Sequence, residues 1–170
     1  MKINVYFEHA GSKDLVAVAS NLYEAQQIMK NKIDEMKFKS YYTRINFESD
    51  TIVWIDYGSH IKFFSFELED SNKTFVNLYD EISKIDVLKQ ILEEYTDNRM
   101  FSLYSYAEEA VCMEQYGDNY IVYIGEKGQK HNIKEFQLVD DACYEVIYQL
   151  TESDEEENKL NNIFTEKIKT

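Results

Sequence analysis

The sequence contains no proline and only 5 glycines in 170 residues. Sharp turns must therefore come from Asn, Asp and Ser, and collagen-like or linker-rich architectures are excluded. Cysteine is almost as scarce, with only Cys112 and Cys143. Each lies among apolar neighbours, in Ala-Val-Cys-Met and Asp-Ala-Cys-Tyr, which predicts two buried free thiols in a reducing cytoplasm and no disulfide. There are three histidines, with no Cys-x-x-Cys or His-x-x-x-His spacing, so neither a metal nor a cofactor is expected. The first nine residues lack a basic segment followed by an apolar run, so no signal peptide is expected. No stretch approaches the ~18 apolar residues of a membrane span.

Cations are few: 18 Lys and Arg stand against 32 Asp and Glu, a net charge of -14. The imbalance is local. Residues 1–85 hold 13 acids and 10 bases, a net of -3, whereas residues 86–170 hold 19 and 8, a net of -11. Such a field repels nucleic acid, whose binding needs cations to replace condensed counterions. It attracts basic surfaces and accelerates encounter with them.

What is abundant is apolar and aromatic: 44% hydrophobic residues and 15% aromatic, enough for a sizeable core. Ile3, Val5 and Phe7 alternate with Asn4, Tyr6 and Glu8 as in a half-buried strand, and a turn at 9–14 leads to a second strand at 15–19. Asn21 with Glu24 has capping-box spacing, and Leu22, Ala25, Ile28, Met29, Ile33 and Met36 form one helical face. Strands follow at 41–47, 52–57 and 61–68. The order ββαβββ predicts a small antiparallel sheet with a helix across it. The polar stretch 69–74 is the candidate boundary, giving domains 1–70 and 71–170.

The second domain begins with one or two helices through Tyr95. Strands are expected at 101–106, 110–116, 120–124 and 131–136. A helix capped by Asp140 or Asp141 runs to about Leu150, and a final helix occupies 153–168. The class is α+β, two antiparallel sheet-plus-helix domains with a C-terminal helix.

Chemistry-bearing patterns are thin. Asp56-Tyr57-Gly58-Ser59-His60 is the one cluster of acid, hydroxyl and histidine, but adjacent strand residues point to opposite faces and a hairpin turn explains it. Gly125-Glu-Lys-Gly128 lacks the Gly-Lys-Ser/Thr of a phosphate loop. The carboxylate pairs mark no cleft. No catalytic residue is assigned, and the chain is read as a non-enzyme.

Binding is the stronger expectation. Fourteen tyrosines are present, and Tyr116, Tyr120 and Tyr123 are expected on outward sides of strands, where tyrosine suits an interface; half-buried sheet positions would also explain them. Glu108, Glu109 and the block Glu152, Asp154, Glu155, Glu156 and Glu157 are the candidate acidic contacts. On a helix, carboxylates rise ~1.5 Å per residue, against one duplex phosphate charge per ~1.7 Å, so such an array can imitate a nucleic-acid backbone. A solvated helix start stabilised by its dipole fits the same block.

Asn4-Val-Tyr-Phe-Glu-His9, Val53-Trp-Ile-Asp-Tyr-Gly-Ser-His60 and Phe63-Phe64 resemble segments of small proteins encoded by Firmicute phages and mobile elements, related to N-terminal modules of some anti-CRISPR proteins. Tyr106 to Glu114, Tyr120 to Gly128 and Asp141-Ala-Cys143 resemble polymorphic-toxin immunity domains. Both resemblances imply an inhibitor that acts by stoichiometric binding. The expected partner is a basic protein, a CRISPR effector nuclease or a cognate toxin, with no direct nucleic-acid or membrane contact and a cytoplasmic location.

Overall fold

A computed structural model describes residues 1–69 and 72–169. Two compact units are present, 1–80 and 81–170. The boundary expected at 69–74 includes residues 70 and 71, which lie outside the described residues. The division falls instead within a helix, because the first turns of that helix pack on the first sheet.

The N-terminal unit follows the order ββαβββ. Strands β1 (Lys2–His9), β2 (Ser12–Ala19), β3 (Arg44–Ser49), β4 (Ile52–Asp56) and β5 (Lys62–Glu69) form an antiparallel sheet in the order β2-β1-β5-β4-β3. Helix α1 (Leu22–Glu35) lies on one face. The Asn21 side chain accepts the N–H of Glu24, as the spacing predicts, while the Glu24 carboxylate reaches Ser20, one residue before the expected partner. Ile3 and Val5, Val53, Ile55 and Tyr57, and Phe64 and Phe66 are buried with Leu22 and Ala25 of the helix. The opposite face carries Tyr6, Trp54 and Phe63 around a buried Ser65 whose hydroxyl donates to Glu8 at 2.6 Å.

A single helix, α2 (Phe75–Tyr95), settles the choice between one helix and two. The Phe75 N–H donates to the Asp50 carbonyl, and Tyr79 packs edge-on against Phe47.

The C-terminal unit contains β6 (Phe101–Ser102), β7 (Ala110–Tyr116), β8 (Asn119–Glu126) and β9 (Gln129–Phe136) in that spatial order, with helices α3 (Val139–Leu150) and α4 (Asp154–Lys167). The strand expected over 101–106 is only two residues long and pairs parallel to β7. Residues 103–109 leave the sheet instead and fold over one face, where Tyr106 and Ala107 cover Ala110, Cys112, Ile121 and Tyr123. Gly125 allows this close approach, since a Cβ there would sit 1.9 Å from the Ala107 carbonyl oxygen. The other sheet face packs Val111, Met113, Tyr120 and Val122 against Leu88, Ile91 and Leu92 of α2, Val146 and Ile147 of α3, and Leu160 and Phe164 of α4. Asp140 and Asp141 do not cap α3. They occupy its first turn, where the dipole favours acids, and Leu138 holds the cap position without a side-chain hydrogen bond. Both cysteines are free and buried.

Candidate functional site

Topology gathers ten of the acids of the C-terminal unit at one end. Residues 96–100 turn the chain from α2 into the sheet, and the Val111 N–H donates to the Met100 carbonyl, so α2 ends where β7 begins. Glu108 and Glu109 immediately precede that point. Helices α3 and α4 form an antiparallel hairpin, held by Tyr144 OH and Thr165 Oγ1 at 2.8 Å and by edge-on packing of Tyr144 on Phe164. The start of α4 therefore lies at the other end of α3 from Asp140. Lys159 Nζ, 4.7 Å from the centroid of the Tyr95 ring, ties that start to the end of α2. The same end thus carries Glu93, Glu94 and Asp97, Glu108 and Glu109, and the block from Glu152 to Glu157, against Arg99, Lys127 and Lys159.

Some of these acids are spent on their own chain. Glu108 accepts the Tyr106 hydroxyl at 2.6 Å and the N–H groups of Lys127 and Gly128, the latter at 3.1 Å. The Tyr106 hydrogen bond, followed by these backbone donors, holds its carboxyl below the usual range. Asp97 grips the Arg99 guanidinium at 2.6 and 3.2 Å, and that side-chain hydrogen bond is the chief cause of its carboxyl being held at about 2. Ser153 caps α4 through the Glu156 N–H, and Glu156 in turn accepts the Glu152 N–H at 3.2 Å. Glu157 is half-buried and accepts from Asn161.

Glu109, Glu152, Asp154 and Glu155 are exposed and form no ion pair among the described residues. Glu109 also has a φ of 53°, the left-handed region that side chains other than Gly and Asn rarely adopt. A concavity of about 570 Å³ lies at this end, lined by residues 97–102 and 107–109. Past the first turn, the exposed positions of α4 are Asn158, Lys159, Asn162, Glu166 and Lys167, with a single acid three turns on. The unbroken carboxylate array is therefore one turn long, ~4.5 Å, the reach of about three duplex phosphate charges.

The tyrosines divide differently. Tyr116 is 69% exposed, but it sits at the far end of β7, away from the acids. Tyr120 and Tyr123, expected outward, are 2% and 1% exposed. Tyr120 enters the helix-side core and donates to Glu81 at 2.7 Å. Tyr123 lies under the 103–109 loop, stacked on Tyr106, and donates to Glu114 at 2.6 Å. Both faces of β8 are covered, so neither phase of the strand points to solvent. Sequence reasoning also missed Tyr95 and Met100, 38% and 49% exposed at the acidic end. Tyr95 reads as the last member of a buried helical stripe, and only the end of α2 at that residue exposes it.

No catalytic arrangement emerges at the clusters considered. Ser59 and His60 lie in the turn after β4, where the Asp56 carboxylate accepts the Gly58 N–H at 2.8 Å and His60 is exposed with a φ of 64°. A second cluster, Ser12, His9 and Asp14, joins both Ser12 Oγ (2.7 Å) and His9 Nε2 (3.0 Å) to the Asp14 carboxylate, so the hydroxyl is engaged by the acid. Among the described residues no group of three or more His, Cys, Asp or Glu is placed to hold a metal, and no helix is long and apolar enough to cross a membrane. No family model, no curated protein and no solved structure matches the chain.

Proposed function

We propose that this chain is a proteinaceous inhibitor that binds and neutralises a nucleic-acid enzyme, specifically an anti-CRISPR protein that blocks a CRISPR effector nuclease. The acidic end of the C-terminal unit occupies a basic guide- or target-binding groove, with Glu152, Asp154, Glu155 and Glu109 as the contacting carboxylates. The observation that carries this reading is the convergence of Glu108–Glu109 and 152–157, more than forty residues apart in sequence, on one end where four carboxylates form no ion pair among the described residues. Inhibition is by occlusion, without catalysis, in a cytoplasm where Cys112 and Cys143 stay reduced. Because the uninterrupted array is only one helical turn long, it covers a local patch of the groove and leaves the remaining affinity to neighbouring contacts such as Tyr95 and Met100.

Reversing Glu152, Asp154 and Glu155 to lysine tests the mechanism. The triple variant keeps its circular dichroism and loses inhibition of the nuclease at least tenfold, and wild-type affinity falls steeply with salt. Undiminished inhibition by the folded triple variant overturns mimicry.

A second reading, an immunity protein that neutralises a cognate toxin by direct binding, is favoured by the other end of the same unit. There Tyr116 is exposed, and Ile133, 56% exposed, lies on the same sheet face as Glu114 and Glu135. Rescue of toxin-expressing cells that is lost on Tyr116→Ala, and unaffected by the triple reversal, selects it.

A further inference from the structure

Strand β3 closes the N-terminal sheet at one edge, and all six of its residues are exposed. Among the described residues it is paired to β4 alone, so one row of its N–H and C=O groups faces outward. Its side chains sort by face. Arg44 and Asn46, opposite Asp56 and Trp54, share the face away from α1 with Glu48, whose carboxylate takes the Trp54 indole N–H. Ile45 and Phe47, 39% and 49% exposed, point to the other.

We propose that β3 is a self-complementary edge through which two copies of this chain pair antiparallel about a two-fold axis at Asn46. In that register Arg44 lies opposite Glu48 of the second copy, Ile45 opposite Phe47, and Asn46 opposite itself. Residues directly opposite in an antiparallel pair share a face, so the cation meets the anion on one side while the two apolar chains meet on the other. A slip of one residue in either direction sets Arg44 against Phe47, or Ile45 against Glu48, which makes the register specific. The charged groups are already in place. The Arg44 guanidinium lies 4.9 Å from the Tyr42 ring centroid and has no carboxylate partner among the described residues, and Trp54 steadies Glu48. The irregularity between Phe47 and Ser49 falls at Glu48, so regular pairing of the backbone ends at Phe47 and the charged contact sits at the margin of the matched segment. Because the contact is isologous, it closes after two copies and does not propagate. It uses the N-terminal unit only and stands independently of the acidic end.

Sedimentation velocity of the full chain from about 1 μM to about 1 mM, the range in which so small an interface dissociates, is expected to show the mass doubling. Amide exchange should slow at 44–48 as concentration rises. Arg44→Glu and Glu48→Arg each place like charges opposite at both ends of the pairing and weaken the dimer about tenfold. The double variant R44E/E48R restores it. A monomer throughout the range overturns the proposal, and so does a dimer indifferent to either single reversal, which pairs through another surface. Circular dichroism of each variant verifies that the fold is retained.

Discussion

The Glu108 carboxylate accepts the Gly128 N–H at 3.1 Å together with that of Lys127, so the loop that leaves β6 is clasped to the turn between β8 and β9. Tyr106 completes the clasp from the same loop. Removing it with Glu108→Ala should lower the melting temperature and admit solvent to Cys112 and Tyr123 beneath. Thiol modification of Cys112 in the native state, slow in the wild type, becomes faster in the variant.

Asp97 and Glu108 both have carboxyls held below their unfolded values, so both favour the folded state above the ordinary carboxylate range. That contribution is lost as pH falls through the folded value, which for Asp97 is about 2. The melting temperature should therefore decline on the acid side below about pH 4. Asp97→Asn makes that decline shallower, and a decline of unchanged steepness would contradict the assignment.

Gly125→Ala drives a methyl group into the Ala107 carbonyl, a backbone atom that can retreat only if the loop lifts. Overpacking of this kind costs about 1–3 kcal/mol. Urea denaturation measures it. Gly117→Ala is the contrasting variant, because it meets no neighbour within 4 Å and its cost is that of a positive φ alone.

Tyr120→Phe removes a hydroxyl that donates to Glu81 and should cost about 1–2 kcal/mol, whereas Tyr120→Ala opens a cavity and costs about 3–5 kcal/mol. Neither should change inhibition per folded molecule, because the ring lies in the core. Ser153→Ala removes the cap of α4 at a cost of about 1 kcal/mol and frays the turn that presents Asp154 and Glu155. It should therefore weaken both stability and binding.

Burial pushes the Cys143 thiol far up from its ordinary value, and burial raises that of Cys112 as well. Disulfide-exchange reagents should react with Cys143 at the rate of global unfolding. A fast reaction at neutral pH in the folded protein would refute its placement.

Much of the fold is legible where a local rule and the tertiary context agree. Asn21 and Glu24 mark the start of α1, and Ala110–Tyr116 form a strand with the expected limits. Legibility fails where packing on a second face intervenes. The apolar rhythm of Phe101, Leu103 and Tyr106 suits a strand, yet the chain leaves the sheet after Ser102 because those side chains are needed above and below it. Tyr120 and Tyr123 could not be phased, since alternation identifies an outward face only when one face is wet. The acids of the candidate site were visible as residues. Their convergence was not, because it depends on the antiparallel return of α4 along α3 to the end of α2.

That convergence gives the C-terminal unit an electric dipole in its own right, since ten of the 20 acids in 81–170 lie at that end with three of the 9 bases. A cationic surface exerts a torque on such a body before it touches it. Approach is then acid-pole first, and the fraction of collisions that arrive correctly aligned rises without any gain in contact energy. On a positively charged support the same torque should fix the unit by that pole and leave Tyr116 facing the solution.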